Sequence, residues 1–257
     1  MDHAAYLDLA LELADLADEI TVARFRAADL VVETKPDLTP VSEADRAVEL
    51  AIREHLAVRA AHHAILGEEF GDDDPDAEVR WIVDPIDGTK NYVRGVPIWA
   101  TLLGLEIAGE VVVGVVSAPA IGARWWAGRG LGAYRNGQRI EASQVRSLDD
   151  AQMSFAWDSL GAFDAGGVGD RLFGLSRQCW RTRGLGDFWQ HVLVADGSFD
   201  ISCDPVLAYW DAAALLPIVE ESGGTWSTID GRRDARTTDS LVCTNTHLHD
   251  TVLAALG

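Results

Sequence analysis

Asp84 follows directly on the apolar run Trp81-Ile82-Val83, and Asp87 comes after Pro85-Ile86, so residues 81–89 read Trp-Ile-Val-Asp-Pro-Ile-Asp-Gly-Thr. The run predicts a buried strand over Arg80–Val83. A carboxylate at the mouth of such a strand is costly unless something cationic neutralises it. Two acids three residues apart, around a rigid proline turn, can aim at one point. Hard oxygen ligands of this kind suit Mg2+, Mn2+ or Ca2+ and not zinc. Gly88 lets the backbone approach an anion, and Thr89 adds a hydroxyl and an N–H at a helix N-terminus, a favourable seat for phosphate.

Two further acidic places repeat the pattern. Glu68 and Glu69 follow the short apolar strand Ala64-Ile65-Leu66 and the turn residue Gly67. Asp211, after Tyr209-Trp210, starts a helix expected over residues 211–222, where an acid complements the helix dipole. Taken singly, Asp87 and Asp211 read as helix caps and the Glu pair as a solvated loop. The three together, with Gly-Thr attached, argue for a site.

The rest of the pattern gives the setting. Leu7, Leu11, Ala14, Leu16 and Ile20 predict an amphipathic helix from residue 4 to about 28. Residues 35–40 form a loop bounded by Pro36 and Pro40, and Ser42 with Asp45 three residues on reads as the start of a second helix. Residues 99–107 and 111–117 predict a hairpin turning at Ala108-Gly109. Residues 123–126 and 132–140 continue the antiparallel theme, the latter turning at Asn136-Gly137. The polar stretch 141–150 marks a boundary between an α+β half, 1–145, and an α/β half, 146–257. In the second half a helix (188–195), a strand (199–202) and the helix 211–222 alternate, the last stopped by Gly223-Gly224.

Composition narrows the partners. The 257 residues carry a formal charge of −20 with 48% hydrophobic residues, which excludes intrinsic disorder. It also argues against nucleic acid or an anionic membrane surface. No apolar run approaches the ~18 residues of a membrane span. The N-terminus is acidic and unlike a signal peptide, and Cys179, Cys203 and Cys243 read as free thiols in a reducing compartment. A soluble cytoplasmic protein is expected.

Gly67-Glu68-Glu69, the segment Trp81–Thr89, Trp210-Asp211 and Glu220-Glu221-Ser222-Gly223-Gly224 together resemble the inositol monophosphatase family across essentially the whole chain. The resemblance implies a layered αβαβα sugar-phosphatase fold and an Mg2+-dependent phosphomonoesterase holding two or three ions, with Mn2+ as a substitute. It implies Glu68, Asp84, the Ile86 carbonyl, Asp87 and Asp211 as metal ligands, with Asp87, Gly88 and Thr89 receiving phosphate. Asp45 matches an acid near the attacking water, which Glu68, with Thr89 and Asp45, would hold or deprotonate for in-line attack. Relatives are commonly dimers, so a homodimer is expected.

Substrate choice falls to the C-terminal half. The resemblance implies that the segment Leu185-Gly186-Asp187-Phe188 and Asp204, seven residues before Asp211, lie where the alcohol is held, and carboxylates at both places suggest a substrate with positive charge. These segments most resemble the histidinol-phosphate phosphatase branch, whose alcohol carries an ammonium and an imidazole. The plainer reading makes Asp187 a helix cap and Asp204 a strand end. Arg183 is a secondary candidate for steering phosphate, and Trp189 for lining the pocket. Inositol monophosphate or another small sugar phosphate is the alternative within this class; a noncatalytic metal-binding regulatory protein is the alternative outside it. His62-His63 and His247-Leu248-His249 lack any zinc-site spacing and read as solvated.

Overall fold

The computed structural model describes residues 2–36, 38–156 and 167–257; Asp37, in the loop expected at 35–40, lies outside them. The chain opens with helix α1 (His3–Arg24), a short hairpin of β1 (Val32–Thr34) and β2 (Pro40–Ser42), and helix α2 (Glu43–Arg59). Asp2 caps α1 by accepting the Ala5 N–H at 3.2 Å. Leu7, Ala10, Leu13, Ala14, Ala17 and Thr21 supply its buried stripe at helical spacing. The helix ends at Arg24, four residues short of the expected end, because Phe25 turns extended and Arg26 takes a positive φ.

Strands β3 (Ala64–Gly67), β4 (Gly71–Asp72) and β5 (Val79–Asp87), the short helix α3 (Thr89–Val93), then β6 (Ala100–Ile107), β7 (Glu110–Ala118), β8 (Ala123–Gly128), β9 (Gly132–Arg135) and β10 (Gln138–Arg139) follow. The strands form a sheet of order β10-β9-β8-β7-β6-β5-β3-β4, antiparallel except where β3 runs parallel to β5. Alternate residues serve opposite faces. Trp81, Val83, Leu103, Leu105, Val113 and Val115 pack on α1 and α2, whereas Ile82, Leu102 and Val116 face the other way. Covering both faces is what makes these strands read as unbroken apolar runs.

The other half places β11 (Gln152–Phe155), α4 (Val168–Ser176), β12 (Arg181–Arg183), α5 (Asp187–Ala195), β13 (Ile201–Asp204), α6 (Tyr209–Ala213), α7 (Leu215–Glu221), β14 (Gly224–Ser227), β15 (Leu241–Asn245) and α8 (His249–Leu256). Its sheet has the order β12-β11-β13-β15-β14. One face packs on α4 and α8 through Leu172, Leu175, Val252 and Leu256. The other shares Leu241, Cys243 and Trp226 with α5, α6, α7 and the first sheet. The layers therefore run helix, sheet, helix, sheet, helix, an αβαβα stack.

One expected helix is two. Residues 211–222 divide at Ala214 into α6 and α7, and α6 begins at Tyr209. Gly104 and Gly114, direct partners across β6 and β7, form a notch beneath that junction. A Cβ on Gly114 would stand 2.0 Å from the Ala214 carbonyl oxygen, and one on Gly104 would stand 3.0 Å from the Ala213 Cβ. Backbone lies on backbone there, which only glycine permits. The strand expected at 199–202 is β13, shifted towards Asp204.

Candidate active site

Strand β5 runs past Asp84 to Asp87, and its pairing with β6 slips between those two residues. In a regular strand, residues three apart face opposite sides of the sheet. The bulge cancels that alternation and lets both acids reach one locus. It also accommodates Pro85, which cannot donate to a ladder. The segment is pinned by Thr101 Oγ1 donating to the Pro85 carbonyl at 2.8 Å and by the Ile86 N–H donating to Asp84 Oδ1 at 3.0 Å. A bulged strand, not a free proline turn, thus carries the pair.

Asp211 enters from α6. Its carboxylate offers an oxygen within 4.8 Å of oxygens from Asp84 and Asp87. The Ala208 N–H donates to Asp211 Oδ2 at 2.7 Å, so Asp211 closes the first turn of its own helix as well. Asp87 is a cap too, but of α5: the Phe188 N–H donates to its Oδ2 at 2.5 Å. Among the described residues, no Lys or Arg forms an ion pair with any of the three. Burial, followed by the charges of Glu68, Asp87 and Asp211, holds the Asp84 carboxyl well above its ordinary range. Burial, followed by Asp187 and Asp211, does the same for Asp87. Asp211 is pushed up to about 7, chiefly by burial. Two buried carboxylates and a half-buried third at this spacing need a cation. The donor set is oxygen only, which fits Mg2+ and excludes a zinc-type site.

Glu68 lies just beyond β3, with its N–H on the Val83 carbonyl at 3.1 Å. Lys35, from the β1–β2 loop, reaches Glu68 Oε1 at 2.8 Å and Glu69 Oε1 at 2.6 Å. Beneath this turn the buried Glu49 accepts the N–H of Glu69 at 2.8 Å and of Phe70 at 3.2 Å. Gly88, at φ +81°, turns the chain from β5 into α3. Thr89 Oγ1 then sits 2.9 Å from the Ile86 carbonyl and 3.3 Å from Asp45 Oδ1. Asp45 is fully buried, and its Oδ2 closes the α2 capping box by accepting the Ser42 N–H at 2.8 Å and hydroxyl at 2.6 Å. Burial foremost pushes the Asp45 carboxyl up to about 6.

A cavity of about 700 Å3 is lined by Glu68, Asp84, Ile86, Asp87, Gly88, Thr89, Asp187, Asp204 and Asp211. Asp45 lies behind Thr89 and does not line it. Asp187 opens α5 at φ +49° with Gly186, not its own side chain, at the cap position. Its Oδ2 accepts Asn91 Nδ2 at 3.0 Å, and the same amide reaches the Ile98 carbonyl at 2.9 Å. Asp204, at the end of β13, accepts the Val206 N–H at 3.3 Å. Arg183 is exposed, donates to the Thr182 carbonyl and is not among the lining residues; Trp210, not Trp189, lines the cavity. His62 is exposed as expected, but the others are half-buried with polar partners: His63 accepts from Trp81 Nε1 at 3.1 Å, His247 contacts Gln144 at 3.1 Å, and His249 contacts Ser227 and Thr244 at 3.0 Å each. Sequence reasoning missed Lys35, Glu49 and Asn91. Only Asn91, two residues after Thr89, stood close enough to the motif to be suspected.

The inositol monophosphatase family model matches residues 2–257. The histidinol-phosphatase of Streptomyces coelicolor is 48% identical over all of this chain and 98% of its own length. That of Mycobacterium tuberculosis is 48% identical over 98% and 97%. Among solved structures, the extragenic suppressor protein suhB of Bartonella henselae superposes with a TM-score of 0.90 at 28% identity, covering 98% of each chain. The inositol monophosphatase of Thermotoga maritima gives 0.88 at 29%, covering 100% of this chain and 97% of its own. Match, fold and acidic cluster agree, and the chain belongs to the inositol monophosphatase family.

Proposed function

We propose that this protein is an Mg2+-dependent phosphomonoesterase that hydrolyses L-histidinol phosphate to L-histidinol and phosphate, a step of histidine biosynthesis. The observation that carries the reading is that Asp187 and Asp204 line the same cavity as the Asp84–Asp87–Asp211 cluster. Asp187 is the strongest charge acting on Asp87, and Asp204 acts on it as well. The cluster accounts for the phosphate end and the two outer acids for a cationic alcohol. Relatives at 48% identity bearing the histidinol-phosphatase name support that substrate.

Glu68, Asp84, the Ile86 carbonyl, Asp87 and Asp211 would hold Mg2+, which would supply Lewis-acid polarisation of the ester and lower the pKa of the attacking water. The chain does the rest. Gly88 and Thr89 present backbone N–H groups to the phosphate. The Thr89 hydroxyl stands between the Ile86 carbonyl and Asp45, and a carboxyl raised to about 6 can accept the proton that Thr89 passes on. Asp187, positioned by Asn91, and Asp204 pair with the ammonium or imidazole of the alcohol. Asp187 has a second effect, because its charge adds to the field that draws a cation to Asp87.

A phosphate-release panel tests the reading. L-Histidinol phosphate, inositol 1-phosphate and a hexose phosphate are compared with Mg2+ and with EDTA. The expected result is turnover that requires Mg2+ and is highest in kcat/KM for L-histidinol phosphate. Preference for inositol 1-phosphate would move the substrate assignment, and no Mg2+-stimulated release from any ester would end the enzymatic reading.

A further inference from the structure

Helix α6 has five residues, far below the length at which a helix holds itself in water, so packing must fix where it carries Asp211. Its C-terminal end is lodged in the Gly104–Gly114 notch. Its first residue, Tyr209, donates its hydroxyl to Glu106 Oε2 at 2.7 Å. Gly104 and Glu106 are two apart on β6 and therefore share the face that α6 covers. Glu106 is fully buried near the C-terminal end of a strand whose other residues are almost all apolar. Arg236 holds it from the loop after β14, with Nε 3.1 Å from both carboxylate oxygens and Nη2 on Oε1. Arg80 Nε stands 3.6 Å from the same carboxylate, and Arg80 is anchored in turn on Asp72 at 2.8 Å. Burial would push Glu106 up, but the hydrogen bonds from Arg236 and Tyr209 and the charges of Arg80 and Arg236 hold it below its ordinary range.

None of these groups lines the cavity that holds the acidic cluster. A buried ionic carboxylate of this kind is weak evidence for stability as such, and replacing it with apolar residues is often neutral. What it adds is direction. The acceptor is charged and fixed by the fork of Arg236, so the Tyr209 hydroxyl has one place to go. With the notch it clamps α6 at both ends, and the mid-helix residue between the clamps is Asp211.

We infer that Glu106, Arg236 and Tyr209 are positioning residues that set the Asp211 carboxylate against Asp84 and Asp87 and thereby tune divalent-cation affinity. The inference rests on reading those three aspartates as the metal ligands, but not on the identity of the ester. Outer partners of metal ligands typically alter affinity by about 10- to 100-fold. The test is titration calorimetry with Mg2+, and with Mn2+ as the tighter-binding probe, on full-length wild type, Tyr209→Phe, Glu106→Gln and the core control Leu172→Ala. The melting temperature in EDTA is recorded for each. Tyr209→Phe removes one oxygen and keeps the ring, so it preserves a foldable chain if Glu106→Gln does not. The expected result is a dissociation constant raised about tenfold or more in Tyr209→Phe, with the half-saturating Mg2+ for phosphate release rising in parallel and KM for the ester little changed. Leu172→Ala, destabilised as much or more, should bind Mg2+ like wild type. Dissociation constants in Tyr209→Phe within twofold of wild type overturn the inference, as does an equal shift in Leu172→Ala. Wild type that binds the cation yet cleaves no ester would sink the proposed function while leaving this test intact.

Discussion

Lys35 Nζ is bonded to Glu68 Oε1 at 2.8 Å, which places an ammonium on a carboxylate assigned to the metal site. Burial alone would lower the Lys35 ammonium, but Glu68 and Glu69 override it and hold it above its ordinary range. The ammonium therefore competes with a divalent ion for Glu68. Lys35→Gln should lower the Mg2+ concentration for half-maximal phosphate release by about two- to fivefold, the scale of a partly exposed ion pair. A Mg2+ titration of the purified variant reads this directly, and a rise would sink the competition argument.

The raised carboxyls carry a pH signature. Asp45, at about 6, and Asp211, at about 7, both sit above their ordinary value of 3.8, chiefly through burial. An acid whose pKa is higher folded than unfolded binds its proton more tightly when folded. Its neutral form is tolerated below about pH 4, and stability is lost as pH rises through 6 and 7. In EDTA the melting temperature should therefore fall between pH 5 and pH 8. Mg2+ should raise it more at pH 8 than at pH 5. Calorimetry in matched buffers checks both, and the fall in EDTA should flatten in Asp211→Asn.

Asp187→Ala should act on the alcohol. Loss of a charge-assisted contact costs about 1.5–3 kcal/mol, or about 10- to 100-fold in KM for L-histidinol phosphate. The effect on inositol 1-phosphate should be several-fold smaller. Equal losses for the two esters would mean that Asp187 serves the metal cluster and not the substrate.

The notch makes a prediction about stability. Gly114→Ala sets a Cβ 2.0 Å from a backbone oxygen and should cost at least the ~1–3 kcal/mol typical of overpacking. At ~2–4 °C per kcal/mol for a chain of this size, its melting temperature should drop by several degrees. Gly174 in α4 has open space at its Cβ and an ordinary φ, so Gly174→Ala should stabilise by up to about 1 kcal/mol. Equal midpoints for the two variants in thermal melts would refute this reading of the backbone contact.

Much of the molecule was legible because its signals are local. Ser42 and Asp45 announce a capping box, Asn136-Gly137 announces a turn, and the apolar runs of β5, β6 and β7 announce a covered sheet. The cluster was legible because Asp84, Asp87, Gly88 and Thr89 are nearly contiguous. The bulge was not, since the slip that turns Asp84 and Asp87 to one side is a property of pairing with β6. Short elements such as β11 and α8 were missed because their burial comes from each other across the second sheet. Glu106 and Glu49 looked like any other acids, for nothing in a strand or helix pattern marks a buried carboxylate whose partners lie far along the chain.

The bond from Phe188 to Asp87 has an implication for how such a protein can change. The donor is main chain, so every side chain except proline at that position preserves it. Side chains around Asp187 can be exchanged, and the alcohol they greet can change, while the amide keeps its grip on a carboxylate of the metal cluster. Specificity and chemistry meet in two ways, through the charge of Asp187, which mutation can change, and through this main-chain bond, which mutation scarcely reaches.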